Sequence, residues 1–239
     1  MKRLISCVLL CTAALSASAQ ALVEPHHRLV LVASQPLRSV ALTLDACGAG
    51  YDAELIALLV ARRVPATIFV TRKWLVRNPA GAADLLAHPE LFDLEDHGNA
   101  HVPATLGLGR RVYGLPGSPD VAHLQAEVSL GAEAITQLTG RAPRFYRGAT
   151  AKYDGEAMKT IQTMGYTIAG FSVNADAGAT LSRAAVVARL RSVQAGDIII
   201  AHMNKPAGNT AEGFAVALPE LLARGFSFVK LADARLQPM

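Results

Sequence analysis

A chain of 239 residues that is 51% apolar, 18% charged and carries a formal charge of +4 has ample material for one large core and is not a disordered polypeptide. Aromatic residues make up only 5%, so Val, Ile, Leu and Ala must fill that core, which suits a layered α/β architecture better than an all-β sandwich. No basic run with interleaved aromatics occurs, so nucleic acid is not an expected partner.

The opening stretch MKRLISCVLLCTAALSASAQ combines a basic start at Lys2 and Arg3, an apolar run from Leu4 to Leu15 and the small residues Ala17-Ser18-Ala19. That pattern predicts a signal peptide over 1–19, cleaved to leave one domain over 20–239 in a periplasmic or secreted location. The apolar run is short for a transmembrane span, and no second candidate follows. Cleavage removes Lys2, Arg3, Cys7 and Cys11, which leaves a nearly balanced charge and Cys47 as the sole thiol.

Arg28 to Ala33 reads as a strand turned back at Gln35-Pro36 toward a second strand, Ser39-Val-Ala-Leu-Thr-Leu-Asp45. Gly48 and Gly50 open the turn beyond it. Asp52 then caps a helix to Arg63, Ala66 to Val70 is a buried strand, and Asn78 to Ala87 is helical with Pro79 in its first turn. This β-α-β unit calls for a parallel sheet. The alternation continues with strands at Leu91 to Glu95, Phe145 to Arg147, Thr167 to Phe171, Asp197 to Ala201 and Ser227 to Val229. Helices are expected over Asp120 to Thr139, Asp154 to Met164, Ser182 to Ser192 and Glu212 to Arg224. About seven strands alternating with helices predict a single closed or nearly closed (β/α) barrel, with a doubly wound sheet as the other solution. The Gly- and Pro-rich loop from Val102 to Pro119 is expected at the rim of the site.

In such a barrel the chemistry sits just past the strand ends. Asp45 is delivered there by its strand. His97 and His101, four apart after the strand at Leu91, fit one face of a helical turn and would chelate a divalent metal at about 2.0–2.1 Å each. Arg147 precedes a small-residue turn at Gly148-Ala149-Thr150, whose backbone N–H groups suit a substrate oxygen. Asp176 is placed to orient another site residue or to cap a helix. His202 follows an apolar strand, with Asn204 and Lys205 beyond it.

These clusters resemble, in order, the five motifs of the NodB-type polysaccharide deacetylases, carbohydrate esterases with a distorted β/α barrel. Thr43-Leu44-Asp45-Ala46-Cys47-Gly48 is similar to their Thr-Phe-Asp-Asp-Gly motif and His97 to His101 to their His-(Ser/Thr)-x-x-His motif. Arg147 to Thr150 corresponds to Arg-Pro-Pro-Tyr, Asp176-Ala177 to Asp-Trp, and Ile200-Ala201-His202 to Leu-x-His. The resemblance implies hydrolysis of an acetyl group on a glycan of the peptidoglycan or chitin type, assisted by a divalent metal, usually zinc. It implies Asp45 as general base, His202 as general acid, Arg147 orienting Asp45 and Asp176 tuning His202. It also implies His97 and His101 as metal ligands and a backbone N–H near Thr150 at the oxyanion, and Thr150 and Asn204 are expected to bind substrate. The family's second motif-one acid is its third metal ligand, and here that position is Ala46. Three outcomes stay open: Asp45 itself binds metal, Cys47 supplies a thiolate, or metal is dispensable. The last would make the protein a metal-independent amidohydrolase on a smaller substrate, or a non-catalytic glycan binder. For Cys47 the expectation is a small residue packed in a tight turn. Thr150 and Ala177 replace a Tyr and a Trp of the family, which removes a stacking wall for a sugar.

Overall fold

The computed structural model describes residues 21–32 and 36–239. The expected leader over 1–19, and Ala33 and Gln35 of the expected first strand and turn, lie outside the described residues. The elements in chain order are β1 (His27–Leu29), β2 (Ser39–Ala46), α1 (Ala53–Ala61), β3 (Ala66–Val70), α2 (Arg72–Arg77), α3 (Pro79–Leu86) and β4 (Phe92–Asp96). There follow β5 (Arg111–Val112), β6 (Leu115–Pro116), α4 (Val121–Thr139), β7 (Phe145–Tyr146), α5 (Gly155–Thr163), β8 (Thr167–Ile168) and β9 (Val173–Asn174). The chain closes with α6 (Arg183–Arg191), β10 (Ile198–His202), α7 (Thr210–Ala223), β11 (Ser227–Val229), a 3-10 turn (Leu231–Asp233) and β12 (Leu236–Pro238).

Seven parallel strands form a curled sheet in the order β8-β7-β4-β3-β2-β10-β9, the distorted (β/α) barrel expected from the sequence, and β11 joins the start of β2. The two ends of this sheet follow one another in the chain. The stretch from Thr167 to Asn174 pairs with β7 at its start and with β10 at its end. Where it changes partners, Gly170 and Phe171 meet the segment at Pro25 to His27, and a Cβ on Gly170 would overlap the Pro25 carbonyl.

Strand β2 shows how the sequence aims the site. Successive side chains of a strand point to opposite faces. Val40, Leu42, Leu44 and Ala46 join the apolar layer under the helices, with Trp74, Leu59 and Phe214. Ala41 faces the second core with Phe69, Ile198 and Ile200, and Thr43 and Asp45 continue that inner face. The neighbouring strand β10 alternates alike: Ile199 and Ala201 face the helices, while Ile198, Ile200 and His202 face inward.

Several local expectations are corrected. The first strand does not turn back onto β2; β1 pairs antiparallel with β12 at the other end of the chain, a partner that local pattern cannot reveal. Thr167 to Phe171 is not one strand, since Gly170 marks the change of partner. Helix α2 was not expected; Thr71 caps it by accepting from the Trp74 N–H, and the Trp74 indole donates to Gly50 O. His202 is the last residue of β10 rather than the first beyond it. Asp52 does cap α1, accepting from the Leu55 N–H at 3.0 Å.

Candidate active site

Asp45 ends the inner face of β2 and is almost fully buried. Its Oδ1 accepts from Arg147 Nη1 at 2.8 Å, and the same nitrogen donates to Thr43 Oγ1 at 2.9 Å. Arg147 has no exposed surface: its Nε donates to Ala169 O at 3.1 Å, and its guanidinium lies 4.3 Å from the Phe69 ring centroid. Burial pushes the Asp45 carboxyl up, but the positive charges of Arg147, His97 and His202 outweigh it and hold the group below its ordinary value. The carboxylate is therefore ionised and fixed in orientation.

His97 and His101 do converge, though not on a helical turn. Residues 97–101 form a loop in which Gly98 has φ 90° and His101 φ 67°, and the two rings lie 5.0 Å apart. The backbone curls because Glu127 of α4 grips it. The Glu127 carboxylate accepts from the Ala100 and Val102 N–H groups at 2.9 and 3.0 Å, and its carbonyl accepts from Asn99. His97 Nδ1 donates to Arg147 O at 2.5 Å, since a carbonyl can only accept, which leaves Nε2 facing Cys47 Sγ at 3.5 Å and Asp45 Oδ2 at 3.8 Å. Burial pushes His97 down, yet the charges of Asp45 and Cys47 raise it to about 9. Burial likewise pushes the Cys47 thiol up, and His97 with its neighbouring imidazoles brings it well below its usual value. The two shifts are reciprocal, the imidazole and the sulfur each stabilising the charged form of the other.

His202 is set by Asp176. Its Nδ1 donates to Asp176 Oδ1 at 2.8 Å and its backbone N–H to Oδ2 at 2.7 Å, while Thr210 Oγ1 donates to the same Oδ2 at 2.9 Å. Burial lowers the His202 imidazole, but the bond to Asp176, together with Cys47 and Asp45, raises it well above its ordinary value. The parallel register pairs His202 with Asp45 on adjacent strands. Both line a cleft of about 740 Å³, together with Cys47, His97, His101 and Asn204.

The sequence pattern described as polysaccharide deacetylase matches residues 33–169. The chain belongs to the polysaccharide deacetylase family. Solved structures agree in fold. A family 4 carbohydrate esterase from Streptomyces lividans in complex with acetate shares 20% identity at a TM-score of 0.66, covering 81% of this chain and 93% of that one. The Bacillus subtilis family 4 esterase PdaA shares 19% at 0.66, covering 82% and 80%. A family 4 pseudoenzyme from Bacillus anthracis shares 16% at 0.67, covering 82% of this chain, which spans only 64% of the pseudoenzyme's length. A mutant of it is described as having restored enzymatic activity. No curated protein matches the chain.

For a member of this family the donor set suits the divalent metal that the resemblance implies. The ligand atoms of Cys47, His97 and His101 lie within 4.8 Å of one another, close enough for one ion, and thiolate with imidazole is a zinc-type donor set. Cys47 is thus placed otherwise than expected: it faces the imidazoles instead of filling a turn. Thr150, in the left-handed region at φ 69°, and the buried Asn204 carry polar side-chain atoms (Oγ1 and Oδ1) without a protein partner at the cleft. Sequence reasoning missed Glu127, Thr210 and Tyr113. Tyr113 joins the cleft wall from between β5 and β6, so the Val102 to Pro119 loop does reach the rim. Thr43, the partner of Arg147, was missed as well, although its place two residues before Asp45 puts it on the same strand face.

Proposed function

We propose that the protein is an exported hydrolase that removes acetyl groups from an amino sugar or another acetylated glycan of the peptidoglycan or chitin type. The observation that carries this reading is the pairing of Asp45 with His202 across adjacent strands, each with a dedicated partner, Arg147 and Asp176. Family membership supports the reaction class, and the leader pattern over 1–19 supports export.

Asp45, held anionic by Arg147, accepts the proton of the attacking water. His202, protonated and aimed by Asp176, gives a proton to the departing nitrogen or oxygen. Asn204 Oδ1 and Thr150 Oγ1 offer the hydrogen bonds that orient the sugar. His97 and His101, clustered with Cys47, would hold the metal. A divalent ion bound there would polarise the acetyl carbonyl and lower the pKa of water.

Acetate release from acetylated chito-oligosaccharide and from peptidoglycan, before and after chelation, tests the proposal. Asp45→Asn should lower kcat by about 10²–10⁴-fold, the range for loss of a general base. Unchanged turnover in that variant would sink the reading. A second reading, a metal-independent amidohydrolase on a smaller substrate, is favoured by the contact of Cys47 with His202, itself oriented by Asp176. Activity that survives chelation but vanishes in Cys47→Ser would select it. Glycan binding with no acetate release would leave a non-catalytic binder, the reading that Ala46 favours.

A further inference from the structure

The family's third metal ligand is an acid at the position of Ala46, yet the Ala46 side chain has no exposed surface and belongs to the apolar layer beneath the helices. Strand alternation explains this, for Ala46 points away from the cleft that Asp45 and Cys47 both line. A ligand for this site must therefore come from an inward-facing position. Asp45 is one such position, but its Oδ1 is engaged by Arg147 and it falls outside the group of mutually close donors. Cys47 is the other. Its Sγ lies 3.5 Å from His97 Nε2, and all three ligand atoms of Cys47, His97 and His101 fall within 4.8 Å of one another.

Each donor is also held from behind. The Nδ1 of His97 is committed to the Arg147 carbonyl, so its free nitrogen is Nε2. The His101 loop is tied on both sides by Glu127. The Cys47 carbonyl accepts from Thr71 Oγ1 at 3.0 Å, which fixes the backbone next to the thiol. A thiolate also carries the single negative charge that the missing acid would have supplied. We propose that Cys47 is the third protein ligand of the metal site, so that this chain binds its ion through two imidazoles and a thiolate, and leaves Asp45 unligated.

This rests on the reading of His97 and His101 as metal ligands, and it changes which ions the site accepts. Magnesium and calcium take oxygen ligands, whereas zinc and cobalt(II) accept sulfur and nitrogen in tetrahedral sites. On binding, the thiol proton passes to solvent as the sulfur–metal bond forms.

The experiment is metal titration of the purified full chain with zinc, cobalt(II) and magnesium, read by metal content and by absorption. Zinc should bind one ion per chain. Cobalt(II) should show a near-ultraviolet thiolate-to-metal charge-transfer band, and magnesium should not compete. Cys47→Ser should abolish the band and weaken zinc binding by more than about 100-fold, beyond what loss of an outer partner costs. Cys47→Ala, tested alongside with its circular dichroism spectrum, should behave alike while remaining folded. If Cys47→Ser binds zinc as tightly as the wild type, the proposal fails, while a loss of zinc in His97→Ala leaves the broader reading standing. If the wild type binds no zinc, both fail.

Discussion

Arg147 is completely buried, and its guanidinium is matched by Asp45, Thr43 Oγ1 and two backbone carbonyls, with the Phe69 ring across its face. A charge without access to water is tolerated only when its donors are paired, so this arginine and Asp45 form one unit. Arg147→Met would strand the carboxylate. It should cost about 3–5 kcal/mol of stability, as breaking a buried pair does, measured as a fall in the denaturant midpoint at unchanged slope. Arg147→Lys keeps the charge but not the planar fork, and should recover only part of that loss. At this scale the sequence was informative, because Asp45, His97, Arg147, Asp176 and His202 all lie at strand ends or just beyond them, where an α/β sheet presents its chemistry. What stayed hidden were residues that act through another. Thr210 donates to Asp176 across 34 residues of chain, and nothing in its neighbours marks it.

At the scale of elements, α4 is the clamp of the site. Gly131 lets the helix approach so closely that a Cβ there would overlap Asp96 Oδ1 and the backbone of Gly98. That approach brings the Glu127 carboxylate onto the Ala100 and Val102 N–H groups, either side of His101. Glu127→Gln should weaken zinc binding by about 10–100-fold, the usual effect of removing an outer partner, with little change in unfolding midpoint. Equal zinc affinity in the variant would show that the loop holds its shape without the carboxylate. Helix α4 was read from the sequence over Asp120 to Thr139; the structure adds its caps, Asp120 accepting from the His123 N–H at 2.9 Å and Gly140 ending the helix at φ 72°. Its clamping role was not legible, because Glu127 looks like any acid on a long amphipathic helix until the opposing loop is known. The expected helical turn at His97 to His101 failed for the same reason: four-residue spacing suits a helix, but Glu127 and Gly98 impose another curl.

The whole molecule is a curled parallel sheet built from alternating strands and helices, and that much was legible. How the sheet closes was not. Pattern gives strands and helices, but not that Thr167 to Asn174 serves both ends of the sheet, nor that β1 and β12 pair near them. Gly170 is where these features meet, so Gly170→Val should push the Pro25 to His27 segment off and cost about 1–3 kcal/mol as an overpacked site. Limited proteolysis near residue 30 would report the release, and an unchanged cleavage pattern would refute it. The stretch that joins the two sheet ends also bears on solubility. An open parallel sheet ends in rows of unpaired N–H and C=O groups that template pairing with other chains. Here the outermost strands, β8 and β9, are two residues each and follow one another in the chain, and Pro25 to His27 bonds across the junction between them. The fold thereby hides its own sticky margins, and a chain loosened at Gly170 should aggregate before it loses its helices.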